Sequence, residues 1–255
     1  MRKVISSVLC VTGSVVIYKL ACELINSFVS NNIQQGFLAE LVFVILAVVS
    51  LVILKKTSVL KFKLNGFKEG TAVGASLLVV IGIMFLGYIP KQVAITESGL
   101  NVVMFLIHML LIGVTEEVLF RGILQNAFHE YFGTKTYGAV VKAIVLSSAV
   151  FGLTHFTNVF RGVPVSSVAV QALLAIPAGM IFGVIYYRSN KNLWVGILIH
   201  TLNDATGLYC TGILSGGSVA STISSYSGSK AGVAVLYLIV VLVVMRKSKM
   251  MKINN

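Results

Sequence analysis

Six ionisable side chains fall in stretches that are otherwise apolar. Glu116, Glu117 and Arg121 close the segment Gly113-Val-Thr-Glu-Glu-Val-Leu-Phe-Arg-Gly122, which follows a run from Leu100 to Ile112 with no formal charge. His155 lies in Val150-Phe-Gly-Leu-Thr-His-Phe156, and His200 and Asp204 lie in Leu198-Ile-His-Thr-Leu-Asn-Asp204. A charge near the centre of a bilayer costs about 2.5–3.5 kcal/mol on insertion scales, so such groups are paired or functional. Glu117 and Arg121 are four residues apart and share a helix face, which allows an ion pair. Glu116 is turned about 100° from Glu117 and needs a partner on another helix. His155, His200 and Asp204, the last one turn after His200 on the same face, can supply it. Three helices then converge on one polar pocket. Apolar surroundings disfavour the charged form of a carboxylate and make it a better general base, while imidazoles can orient a water, bind a metal or donate to an oxyanion. That set of groups suits hydrolysis with water as the nucleophile.

In order and in placement on separate helices, Glu116-Glu117-x-x-x-Arg121, Phe151-x-x-x-His155 and His200-x-x-x-Asp204 resemble the three motifs of the CAAX protease and bacteriocin-processing (Abi) family of intramembrane endopeptidases. The resemblance covers roughly residues 100–210, whereas the first 99 residues match only in being helical. It implies that Glu116 activates water, His155 positions that water, His200 and Asp204 steady the oxyanion, and Glu117 with Arg121 holds the helix. Asp204 departs from the asparagine that would donate most naturally there. It donates if protonated, or else it orients His200. A metal-free, glutamate-dependent hydrolysis is favoured because the ligand spacing is scattered and Glu116 cannot be both free base and full ligand; zinc on His155, His200 and Glu116 is the alternative. The substrate implied is a membrane-associated peptide or a lipidated protein tail, cut near the cytoplasmic face, in bacteriocin self-immunity or peptide maturation. Two readings from other classes compete: a proton-coupled transporter, since intramembrane Glu, His and Asp also build relays, and a catalytically silent immunity or scaffold protein. His108, more than two turns before the glutamates, and His129, expected at the interface beside Glu130, are left outside the site.

The elements that would position these groups follow from composition. Of 255 residues, 57% are hydrophobic and 11% charged, against about 25% charged in soluble domains. A bilayer needs about 20 apolar residues per helix, and eight stretches qualify, at about 4–29, 37–54, 71–90, 100–127, 138–157, 166–187, 193–210 and 231–245. The fold expected is all-α and polytopic, one integral membrane domain with both termini cytoplasmic, in the plasma membrane of a bacterium. Within it, residues 1–99 would hold helices 1–3, 100–210 the catalytic core of helices 4–7, and 211–255 an outer Gly/Ser-rich loop and the last helix. The net charge of +12 comes from topology and not from nucleic-acid binding: 14 Lys and Arg fall on inner segments and only Lys91, Arg161 and Lys230 on outer loops, the positive-inside pattern. Lys19 and Glu23 form an i,i+4 pair inside the first span, which reads as retained and not as a signal peptide. Gly179 and Gly183 have the G-x-x-x-G spacing of close helix packing, beside Pro177 as a kink. Cys10, Cys22 and Cys210 have no metal spacing and read as small core residues. On these counts His155 lies near the outer end of span 5 and His200 about eight residues into span 7, a mismatch in depth that a longer or tilted span 5 would reduce.

Overall fold

The computed structural model describes residues 1–88 and 94–251. Lys91, Lys252 and the end of the third expected span lie outside the described residues. Among those described, the chain is helical, with no strand. The helices are α1 (Arg2–Asn26), α2 (Asn32–Ile53), α3 (Phe67–Tyr88), α4 (Gly99–Glu116), α5 (Asn126–Phe132), α6 (Tyr137–Thr154), α7 (Val165–Arg188), α8 (Leu193–Cys210), α9 (Val219–Ser224), α10 (Gly228–Val244) and α11 (Lys247–Met250). A helix thus occupies each of the eight expected positions. Five stretches are long and apolar enough to cross a membrane: Arg2–Asn26, Asn32–Ile53, Gly99–Phe132, Tyr137–Arg161 and Val165–Arg188. The fold is that of an all-helical, multi-pass membrane protein.

Short polar residues start the helices. Asn31 accepts hydrogen bonds from the backbone N–H groups of Ile33 and Gln34, Ser98 from Asn101, Thr136 from Ala139, and Asn192 from Trp194. Each satisfies donors that a helix start leaves open. Beyond the caps the helices are apolar on all sides. On α1, Val11, Val15, Cys22 and Ile25 are buried, while Ile5, Leu9, Leu20 and Leu24 are exposed. An apolar outer face of this kind is suited to lipid and not to water.

The two ends of the bundle differ in charge. At one end Lys3 and Lys56 both pair with Glu130, at 3.4 and 3.1 Å, and Lys63 donates to the Asn190 carbonyl at 3.2 Å. At the other end Asn32 donates to the Gly217 carbonyl at 3.3 Å, tying the α1–α2 turn to the segment after α8. That segment was expected to be a flexible loop over 211–230. Instead it folds: Gly212 and Gly216 take positive φ angles of 84° and 88°, Ser218 and Ser221 form a reciprocal capping box at the start of α9, and Ile223 is buried with Val163 and Val168. Ser167 of α7 donates to the Ser224 and Tyr226 carbonyls at 3.0 and 3.2 Å. Glycine and serine here supply turns and a cap, the two roles that Gly/Ser content alone does not separate from disorder.

The stretch carrying Arg121 is not the plain α-helix that the 100° spacing assumed. From Glu117 to Gln125 the backbone is π-helical, and every residue in it is buried. Such wide turns are rare and concentrate at functional sites. With α4 and α5 it makes one helical stretch, Gly99–Phe132, longer than the expected 100–127.

Candidate active site

Glu117 sits at the centre of a closed polar network. Its side chain is 0% exposed, and its Oε1 accepts from Arg121 Nη1 at 2.8 Å and from His200 Nδ1 at 2.9 Å. The carboxylate carries no proton to give, so the imidazole Nδ1 carries it. The sequence reading gave Glu117 a purely structural pairing with Arg121; the second bond, which fixes the ring of His200, could not be read from spacing because His200 is 83 residues away. Gly196 makes the approach possible: a Cβ there would lie 2.9 Å from Glu117 Oε2.

The same network reaches α7 by a two-rung ladder. Arg121 Nη2 donates to the Gly179 carbonyl at 3.1 Å and Gln125 Nε2 to the Gly183 carbonyl at 2.9 Å. The G-x-x-x-G pattern therefore serves helix packing, as expected, and also presents two carbonyls to side chains of the π-helical segment. A Cβ on Gly183 would meet Gln125 Oε1 at 2.8 Å and Ile144 Cγ2 at 2.9 Å. Aromatic rings close the rest. The Arg121 guanidinium lies 4.8 Å from the Phe151 ring centre and 5.3 Å from that of Phe182, and Phe182 stacks on His200 at 4.5 Å.

Glu116 points elsewhere. Its side chain is 21% exposed, and its Oε2 lies 3.3 Å from His200 Nε2. Asp204 Oδ2 faces the same nitrogen at 3.6 Å. One proton must lie between Nε2 and these carboxylates, because lone pairs on both sides would otherwise repel. Asp204 Oδ1 also accepts from Asn203 Nδ2 at 3.0 Å, and Asn203 Oδ1 accepts from Tyr237 of α10 at 3.2 Å. Neither Asn203 nor Tyr237 was assigned a role from sequence.

His155 ends α6 and opens a 3-10 turn, His155–Arg161. Its Nδ1 lies 3.0 Å from the Phe151 carbonyl. A carbonyl can only accept, so Nδ1 carries the proton and Nε2 is left for another partner. The rings of His155 and His200 stand edge-on to Phe151, at 5.0 and 6.3 Å. His155 follows the whole of α6 and His200 comes seven residues into α8, yet both rings meet one phenyl ring, so the mismatch in depth counted along the spans does not keep the two histidines apart.

Glu116, His155, His200 and Asp204 all line one cavity of about 620 Å³, within the range of small-molecule and peptide sites. It is also lined by Glu40, Lys19, His108 and Arg161. His108, left out of the site from sequence, is a wall residue of this cavity. Glu40 is 2% exposed, and its Oε1 has no hydrogen-bond partner among the described residues; a lone acidic residue in α2 carries no spacing signal that would have marked it. His129, beside Glu130 at the charged end, is 3% exposed, with its Nε2 3.3 Å from Gln125 Nε2. Lys19 donates to Asn158 at 3.0 Å and forms no ion pair with Glu23 among the described residues. The lining continues to the exposed Asn26 and Asn32 at the α1–α2 turn. That is the end opposite Glu130 and its lysines. Among the described residues no group of three or more His, Cys, Asp or Glu is arranged to hold a metal ion.

Residues 98–206, which carry all six ionisable groups, match the model of a family described as type II CAAX prenyl endopeptidase Rce1-like. No match is found among curated proteins. The matched stretch runs from the N-cap of α4 to just past Asp204 and so takes in the π-helical segment, α5, α6 and α7. Over these residues the chain is similar to an Rce1-like domain, the type II CAAX prenyl endopeptidase of the CPBP family.

Proposed function

We propose that this protein is an intramembrane endopeptidase in which Glu116 activates a water against a peptide bond of a membrane-associated peptide or lipidated protein tail. The observation that carries this reading is the contrast between two adjacent glutamates. Glu117 is buried and held through Oε1 by Arg121 and His200, away from the cavity, whereas Glu116 opens onto the cavity with one oxygen toward His200. A buried carboxylate kept only for packing would be paired, as Glu117 is.

The attacking water sits between Glu116 and the lone pair on His155 Nε2. Glu116 takes its proton as the hydroxide adds to the carbonyl carbon. His200, held through Nδ1 by Glu117, turns Nε2–H toward the developing oxyanion. Asp204, steadied by Asn203 and Tyr237, keeps that ring in place. The proton on Glu116 then passes to the leaving amine. The reaction is metal-free in this reading, because both nitrogens of His200 already face carboxylates. The catalytic core is residues 100–210, carried by eight spans with both termini in the cytoplasm of a bacterium, and peptide maturation or bacteriocin self-immunity is its setting.

The test uses the full chain in proteoliposomes with a quenched peptide library and mass-spectrometric identification of products. The wild type is expected to cleave, Glu116→Gln not to, and prolonged chelation to leave the rate unchanged. Wild-type turnover by Glu116→Gln would remove the base, and zinc that stops turnover on removal and restores it on return would replace the mechanism. Reporter fusions after Asn255 and within 211–230 read the topology; an external C terminus would overturn it.

A further inference from the structure

Lys19 lies inside a membrane-length helix, two turns before its C-terminal end, where a cation calls for a counter-ion. The partner it has is neutral. Its Nζ donates to Asn158 Oδ1 at 3.0 Å, and Asn158, 6% exposed, is itself held by Gln171, whose Oε1 accepts from Asn158 Nδ2 at 2.9 Å. This amide pair fixes the ammonium at the cavity wall without neutralising it, and two of its three N–H groups remain available. Snorkelling would have carried Lys19 to lipid headgroups; it is instead directed across the bundle to α6's extension. Arg161, at the end of that extension, lines the same cavity and is near enough for the two positive charges to act on each other. Neither cation forms an ion pair among the described residues, and Glu23, one turn beyond Lys19, stays exposed. Two cations on the wall of one cavity, neither in an ion pair among the described residues and one of them built into place by a buried amide, are costly in an apolar setting, and a ligand's negative charge would offset that cost. The same cavity is lined by the acids Glu23, Glu40, Glu116 and Asp204 and by Lys230.

We propose that Lys19 and Arg161 form an anion subsite that takes a carboxylate of the peptide substrate, entering at the α1–α2 end of the cavity while Glu116 faces the scissile bond. This rests on the peptidase reading for what the ligand is. The carboxylate comes either from the peptide's C terminus or from an acidic side chain. Lys19, Arg161 and Glu116 line one cavity, so a single extended peptide, at about 3.3–3.6 Å per residue, can meet the cations with its carboxylate and Glu116 with its scissile bond. The subsite sets register: it decides which bond of a bound peptide lies at Glu116.

The probe is a fluorescent, N-acetylated apolar hexapeptide made in three forms: free C-terminal acid, C-terminal amide, and amide with one internal Glu. Binding is measured to the Glu116→Gln full chain in neutral-lipid nanodiscs. The expected result is that one carboxylate-bearing form binds about 10- to 100-fold more tightly than the neutral amide, the range of a hydrogen bond to a charged group, and which form does so identifies the source. Added Lys19→Gln or Arg161→Gln should each shrink that preference; Arg161 is half-exposed and its replacement leaves the Asn158–Gln171 pair untouched, so its result does not depend on the fate of α1. Equal binding of all three forms, no detectable binding, or a preference unchanged by both substitutions overturns the subsite. So does a preference that vanishes when anionic phospholipid replaces neutral lipid, since the cations then serve headgroups. Wild-type protein with the same probes separates the two readings: carboxylate-selective binding without cleavage sinks the peptidase and keeps the subsite, and cleavage without carboxylate selectivity does the reverse.

Discussion

Glu117 and the residues that follow it at four-residue intervals, Arg121 and Gln125, press against α7 and α8, whereas Glu116 opens onto the cavity bounded by α1, α2 and α8. On the closed side the charge of Glu117 is met by a guanidinium and an imidazole, the guanidinium also reaches a backbone carbonyl, and small residues on α7 and α8 let the helices come close enough for this. Glu117 Oε2 and Gln125 Oε1 stay buried without a hydrogen-bond partner among the described residues, but the charges there are paired. On the open side the groups are equally polar, and their unmet capacity faces the cavity. Glu116 shares one nitrogen of His200 with Asp204, Glu40 keeps an oxygen without a partner among the described residues, and Lys19 rests on a neutral amide. In an apolar medium the first arrangement stabilises a fold, while the second stores an unmet need that a substrate can fill. His200 joins the two, with one nitrogen on each side.

Substitutions can sharpen or break this comparison. The largest effect is expected from Glu116→Gln. Turnover should fall by about 10²–10⁴-fold, the usual worth of a general base, with thermal unfolding in detergent little changed; a matching loss of folded protein would move Glu116 to the closed side. Arg121→Ala should do the opposite, since it leaves Glu117 with a single partner in a fully buried position. A loss of about 3–5 kcal/mol would appear as a collapse in folded yield on size-exclusion chromatography. Unchanged yield and unfolding temperature would show that the pair does not support the bundle. Gly183→Val tests the ladder to α7. Its Cβ would stand on Gln125 and Ile144, and overpacking of about 1–3 kcal/mol should lower the unfolding temperature while any residual turnover keeps its KM. The smallest effect is expected from Asp204→Asn, where an amide keeps the shape and one of the two accepting oxygens, facing His200 or Asn203, and can itself donate to an oxyanion. Turnover within about tenfold of wild type would agree with an orienting role, and a loss as large as that of Glu116→Gln would give Asp204 a direct share in proton transfer.

The sequence by itself determined that the chain is helical and built for a bilayer, because length and apolarity of a span are local properties that need no knowledge of neighbours. It also determined which six groups stand out, since a charge in an apolar run is conspicuous wherever it ends up. Periodicity paired Glu117 with Arg121, and the structure has that pair. Tertiary structure decided the rest. That His200 bonds Glu117 as well as facing Glu116 depends on the approach of α8 at Gly196; that Gly179 and Gly183 offer carbonyls depends on the π-helical turn bringing Arg121 and Gln125 into line; that residues 211–230 fold and wall the cavity depends on Ile223 finding Val163 and Val168. Glu40 and His108 carry no spacing signal, and Lys19 pairs by spacing with Glu23 yet bonds Asn158, because nothing within one turn of each tells what stands opposite. Spacing along a helix fixes which side chains share a face, but what that face meets is set by helices dozens of residues away, and in this protein that meeting separates the carboxylate that holds the fold from the one left open to a substrate.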